Sequence, residues 1–279
     1  MTLRELLDLR GLRERVQDLR RSDTGLAAQP LYAKPRFVTG PEQCFFYHTT
    51  DLPIFGTVEG LWDLRGKEDE YLGRVQLKGK RVLEIGPASG GLTFHMERAG
   101  AEVVSIEADA SYRMEYCWDI PHCLPPGLEE KNADSKPRMT ALHDSYWLCH
   151  RLFNSSAKVH YGSAYEIPPA LGPFDVTTIA CVLLHNKNPF IILEHVASVT
   201  KETLVIVEVL PVDKSSDAGP IFLRNDNEVY DGWFHFPPNF TARVLRTMGF
   251  GQTTISYHEQ LHKARGRNLS LYTVVAHRS

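Results

Sequence analysis

Two glycines, two glutamates and a histidine are the residues whose types and spacing most readily do chemistry. Glu84, Gly86 and Gly90 fall at E-x-G-x-x-x-G spacing in Arg81-Val-Leu-Glu-Ile-Gly-Pro-Ala-Ser-Gly90, and Glu107 closes the next apolar run. A glycine has no Cβ to block a left-handed turn or the close approach of a ligand to the backbone. A dinucleotide fingerprint would need G-x-G-x-x-G here, so a pyrophosphate cradle is disfavoured. Downstream, Leu183-Leu-His-Asn-Lys-Asn-Pro189 sets an imidazole on a polar loop. His185 there has the side chain best suited to take a proton near neutral pH. A histidine that caps a helix or orients Asn186 would read the same way, and both roles stay open.

The elements that must hold these residues follow from the apolar pattern. Val82, Leu83 and Ile85 form a run short enough for a central parallel strand. A helix of two to three turns follows, ended at Gly100, and a second strand over 103–106 leads to Glu107. Further strands are expected over 158–161, 174–181 and 203–209, with a helix over 190–199 entered through Pro189. Asn239 is expected to cap a helix that runs through Met248 and is ended by Gly249, and strands over 252–257 and 269–276 close the chain around a basic loop, 263–267. Residues 69–75 are expected to be helical, 138–153 to form a crossover helix, and 109–137 to be an irregular insertion near the site.

Ahead of this pattern, leucines at helical spacing in residues 2–21 alternate with arginines and acids. Such a helix presents a solvated face, although its arginines could touch RNA. Aromatics then gather in Cys44-Phe-Phe-Tyr47 and Gly60-Leu-Trp-Asp-Leu-Arg65, and again around Trp233 and His235. They either dock an arm onto the domain or form a lid over a ligand. Domain limits of 1–57 for the helical and aromatic arm and 58–279 for the main domain follow.

With 279 residues and a formal net charge of -3, the chain gives no global electrostatic reason to bind nucleic acid or an anionic membrane. Its five cysteines lack C-x-x-C spacing, so neither a disulfide framework nor a zinc site is indicated, and no metal is expected. No stretch reaches membrane-spanning length, and a cytoplasmic location is expected.

E-x-G-x-x-x-G followed by an acid at the end of the next strand resembles motif I of the class I S-adenosylmethionine-dependent methyltransferases. The succession of βαβ units is similar to their seven-stranded, doubly wound Rossmann-like α/β sheet with an antiparallel last strand, here with an N-terminal helical extension. Gly60-x-Trp-Asp-Leu-Arg65, Ser163-Ala-Tyr-Glu-Ile167, Leu183-Leu-His-Asn-Lys-Asn-Pro189 and Trp233-x-x-Phe-Pro-Pro-Asn239 are similar to a bacterial group that includes tRNA wobble-uridine carboxymethyltransferases. The resemblance implies S-adenosylmethionine as cofactor, held by Glu84, Gly86, Pro87, Ala88, Ser89 and Gly90, with Glu107 and Ala108 at the ribose. Ala164 and Tyr165 would flank the adenine, and Cys181 would border the cofactor.

Methyl transfer needs alignment and exclusion of water more than covalent help. The expected activity is therefore methylation of a small molecule, an O-methylation of a sugar or secondary metabolite, with His185 as base and Trp62, Tyr71, Asn186, Trp233 and His235 as substrate contacts. A tRNA-modifying methyl- or carboxymethyltransferase is the alternative, and a non-catalytic cofactor-binding subunit is a further one. The sequence leaves the oligomeric state open.

Overall fold

The computed structural model describes residues 30–111, 115–118, 120, 124–211, 219–223 and 232–279. Contacts divide the chain into Met1–Leu31 and Tyr32–Ser279, so nearly all described residues belong to the second unit. The helix expected over 2–21 lies outside the described residues.

In chain order the elements are β1 (Thr50–Leu52), β2 (Gly56–Val58), β3 (Trp62–Asp63), α1 (Glu68–Tyr71), β4 (Arg81–Ile85), α2 (Gly91–Arg98), β5 (Glu102–Glu107) and α3 (Leu128–Leu152). They continue with β6 (Lys158–Tyr161), β7 (Phe174–Ala180), α4 (Pro189–Val199), β8 (Thr200–Val209), β9 (Ile221–Phe222), β10 (Phe234–His235), α5 (Pro238–Thr247), β11 (Gln252–His262) and β12 (Arg267–His277). Among the described residues one sheet of eight strands forms, in the order β3-β11-β12-β8-β7-β4-β5-β6. Strands β4 to β8 run parallel, and β12 is antiparallel to both β8 and β11. This is the doubly wound α/β sheet expected, with its antiparallel strand, plus one short strand more. The addition arises because β11 runs on to His262, and Trp62–Asp63 of the arm pairs with its end at Leu261 and His262. The last two residues of β11, which would otherwise expose backbone donors and acceptors on that edge, are thereby covered.

The central strands are buried on both faces, as a parallel sheet between helices requires. Val82, Val103, Val176 and Val205 pack with Leu92 and Met96 of α2, while Leu83 and Ile206, on the opposite pleat, are equally buried. Phe46 of the arm sits in a second cluster with Phe94 of α2 and Tyr146 and Trp147 of α3.

Three helices differ from the pattern-based expectation for local reasons. The long helix α3 begins ten residues earlier than expected and carries Pro137 inside it; a proline removes one hydrogen bond and usually stops a helix, yet here the helix continues through it. The single turn of α1 stops early because Gly73 (φ 65°) and Arg74 (φ 56°) are left-handed. In α5, Pro238 occupies the first turn and Pro237 the cap, so Asn239 lies inside the helix rather than capping it. No helix among the described residues is long and apolar enough to cross a membrane.

Candidate active site

The chain winds outward from β4 through β5 to β6, then returns to place β7 on the other side of β4. A crevice opens at such a switch point, beyond the carboxyl ends of the strands. The ends of β4 and β7 deliver Gly86 and Cys181 to it side by side. Gly86 (φ 74°) and Gly90 (φ 83°) are left-handed, and a Cβ on them would lie 2.7 Å from Val182 Cγ2 and against the Phe94 ring respectively. Gly90→Ala therefore adds backbone strain to displacement of a buried ring. It is expected to destabilise the fold by about 3 kcal/mol, read from the denaturant midpoint.

Glu84 is buried, and both the Thr93 and the Ser105 hydroxyls donate to its Oε2. Glu84 also lines a cavity of about 30 Å³, together with Gly86, Ala88, Tyr71 and Cys181. The Glu107 carboxylate accepts the N–H of Ala88 on Oε2 (3.0 Å) and that of Ala108 on Oε1 (2.8 Å). It thus ties the glycine turn to the end of β5. The Ala108 carbonyl in turn accepts from His143 Nε2 at 2.9 Å. Burial holds the His143 pKa down at about 4, so the ring is a neutral donor. Ser89 is fully buried, and its Oγ accepts the N–H of His48. The Ser89 side chain therefore anchors the arm and does not line the crevice. The Gly90 N–H donates back to the Pro87 carbonyl, closing the turn.

A larger cavity of about 660 Å³ adjoins this one, and Tyr47, Trp62 and Cys181 line both. His185 and His235 line the larger cavity. Phe45 and Tyr47 face it while Phe46 is buried in the core, so the arm both docks and walls the site. Cys181 has φ 52° and its thiol lies 3.6 Å from the Tyr71 hydroxyl. Burial pushes the Cys181 thiol up and the Tyr47 phenol up to about 12, so both stay protonated.

Other expected contacts are placed differently. Trp233 is fully buried, and its indole N–H donates to the Glu115 carbonyl, so it supports the wall from behind. The Asn186 side chain donates to the Val182 carbonyl and stabilises its own turn. The Tyr165 hydroxyl donates to Glu115 Oε2 and accepts the Asn188 N–H, joining the loop after β6, which also carries Ala164, to the segment before α4. The positions of Trp233 and Tyr165 follow from pairing partners remote in sequence, and that of Asn186 from its own turn, neither of which an apolar pattern reveals.

Glu208 escaped the sequence reading as a site residue, although an acid directly after Leu204-Val-Ile-Val207 is a visible signal. It is buried and accepts the N–H of Leu183 on Oε1 at 3.2 Å. It thereby holds the turn that carries His185. Burial pushes Glu84 and Glu107 up to about 7 and Glu208 up to about 8. Among the described residues none of the three has a cationic side chain as partner.

These carboxyls have a consequence for stability. Unfolded glutamates titrate near 4.3, so the folded state holds the extra protons up to about pH 8 and loses stability as pH rises through that window. His48 and His143, both held down at about 4, act in the opposite sense, but only below the ordinary histidine value of about 6.5. The melting temperature of the ligand-free protein is therefore expected to fall between about pH 6.5 and about pH 8.5. A scan by calorimetry checks this; a flat or rising trend contradicts it.

No family model matches the sequence. Among curated proteins, ribosomal RNA small subunit methyltransferase A of Novosphingobium aromaticivorans is 47% identical over 47 residues. The match spans 15% of this chain and only 17% of that protein. Among solved structures, the N-terminal domain of EvdMO1, determined in the presence of SAH and D-fucose, aligns over 98% of both chains with 14% identity and a TM-score of 0.50. The 1,6-didemethyltoxoflavin-N1-methyltransferase of Burkholderia thailandensis aligns over 77% of this chain and 78% of its own, with 13% identity and a TM-score of 0.48. The full-length likeness to the EvdMO1 domain is one of fold, and the fold is the Rossmann-like methyltransferase sheet.

Proposed function

We propose that the chain is an S-adenosylmethionine-dependent methyltransferase that methylates an oxygen of a small molecule, a sugar or another secondary metabolite. The observation that carries this is the junction of the two cavities at Tyr47, Trp62 and Cys181, directly beyond the glycine turn. A volume of about 660 Å³ lies in the range of small-molecule sites. The EvdMO1 domain, solved with SAH and D-fucose, supports the choice of substrate class by analogy of fold.

The residues present fit the cofactor. Gly86 and Gly90 keep Cβ atoms out of the turn, and each Glu107 oxygen accepts one amide and retains a lone pair for a ribose hydroxyl. Buried carboxyls at Glu84 and Glu107 without cationic partners suit a positively charged ligand. When bound, the cofactor supplies an electrophilic methyl group on a sulfonium. The chain supplies position and protection. Glu107 orients the ribose and ties the glycine turn, the Glu84 carboxyl joins β4 to α2 and β5 behind it, and Tyr47 and Trp62 exclude water from the junction. His185 accepts the proton of the acceptor hydroxyl, while Glu208 keeps its turn in place.

Incubation with methyl-labelled S-adenosylmethionine and separated metabolite and RNA fractions of the source organism tests the reading. Label in a small metabolite supports it. Label in RNA alone replaces it with the tRNA-modifying alternative, and cofactor binding without any labelled acceptor replaces it with a non-catalytic subunit.

A further inference from the structure

The larger cavity has a charge pattern that methyl transfer alone does not require. Arg138 reaches it from α3, Arg265 from the turn between β11 and β12, and Arg267 from the start of β12. Among the described residues no aspartate or glutamate lines it. None of the three guanidinium groups forms an ion pair among the described residues; that of Arg138 lies over the Phe45 ring, 4.6 Å from its centroid. Some cations elsewhere are paired, Arg65 with Asp51 and Asp63, Lys80 with Glu202, and Lys263, in the same turn as Arg265, with Glu59; what sets the three arginines apart is that they border one cavity. His235 and His262 also line the cavity, but burial lowers both pKa values, so near neutral pH the positive charge rests on the arginines. Three guanidiniums without an ion-pair partner among the described residues, set around one concave, partly aromatic space, raise the local concentration of anions, even in a chain whose formal net charge is -3.

We propose that the methyl acceptor is anionic, carrying a carboxylate or phosphate held by Arg138, Arg265 and Arg267 while its apolar part rests against Phe45, Tyr47 and Trp62. Planar guanidinium forks bind either group through paired hydrogen bonds. The inference rests on the methyltransferase reading, since it identifies the cavity as the acceptor site. It adds a requirement that reading lacks: a neutral sugar or phenol would leave the three charges unanswered.

The test uses the SAH-loaded protein, titrated calorimetrically with 4-hydroxybenzoate, 4-hydroxyphenyl phosphate and the neutral 4-hydroxybenzamide. At least one anion is expected to bind about tenfold more tightly than the amide, as for a charge-assisted pair. The variant combining Arg138→Gln, Arg265→Gln and Arg267→Gln should lose that preference and keep its affinity for SAH, which also shows that it is folded. Which anion binds better separates carboxylate from phosphate. Equal binding of all three probes, no binding of either anion, or a preference that survives in the triple variant overturns the proposal while leaving the cofactor reading intact. Failure of the wild-type protein to bind SAH overturns the cofactor reading and the anion proposal with it. Bulk tRNA bound with steep salt dependence and released by the triple variant, without any preference among the three probes, assigns the arginines to RNA phosphates and likewise overturns it.

Discussion

Glu107→Ala is expected to weaken S-adenosylmethionine binding about a hundredfold. Two hydrogen bonds from ribose hydroxyls to a charged acceptor are worth about 1.5 kcal/mol each, or about 3 kcal/mol together. The Glu107 carboxyl also accepts the N–H groups of Ala88 and Ala108, so its removal loosens the glycine turn as well. Glu107→Gln separates the two effects, because its amide oxygen still accepts one backbone N–H while the charge is gone. Its melting temperature should stay closer to that of the wild type than that of the alanine variant, with affinity still reduced. Isothermal titration reads both variants, and wild-type affinity in Glu107→Ala would remove the residue from the cofactor site. The pH dependence has a defined sign. With its carboxyl pushed up to about 7 by burial, Glu107 is protonated in part at pH 6, and cofactor affinity should rise as pH increases through about 7.

His185→Ala is expected to lower turnover at least tenfold, about 1.4 kcal/mol of barrier, with little change in cofactor affinity. A positioned base contributes through the transition state alone, so the loss belongs in kcat rather than in the binding of either ligand. The residue lines the larger cavity, on the three-residue turn Leu183–His185. Glu208 accepts the Leu183 N–H and acts on the imidazole through that turn. Glu208→Ala should thus reproduce part of the kcat loss, and Glu208→Gln, which keeps an acceptor oxygen, should recover most of it. Unchanged turnover in His185→Ala would take the imidazole out of the mechanism and leave it a structural member of its loop.

The strand, turn, helix and strand from Arg81 to Glu107 were legible because each step is local. An apolar run fixes β4, a glycine permits the left-handed turn, and helical spacing fixes α2. The same holds for β6, β7 and α4, whose bounds lie within a residue of the pattern. The start of α3 was not legible: the stretch before Arg138, rich in Pro, Cys and Trp, has no clean period, and the helix begins within it at Leu128. Among the site residues, Gly86 and Cys181 follow from strand ends, a property of sequence. The inward burial of Trp233, the use of the Ser89 hydroxyl by His48 and the bond from Asn186 to Val182 depend on partners or turns that periodicity does not specify.

The sequence by itself determined the order of elements, the glycine turn, and the acid at the end of β5, because propensity, apolar period and backbone freedom act over a few residues. Only the tertiary structure decided which side chains meet. Tyr47, Trp62 and Cys181 come from an arm, an edge strand and a central strand end, and they share one wall because β4 and β7 are neighbours and β3 pairs with β11. Arg138, Arg265 and Arg267, unremarkable singly, become a cationic rim for the same reason. Charge and burial depend on what the fold brings within a few ångströms, and that distance is set by long-range packing.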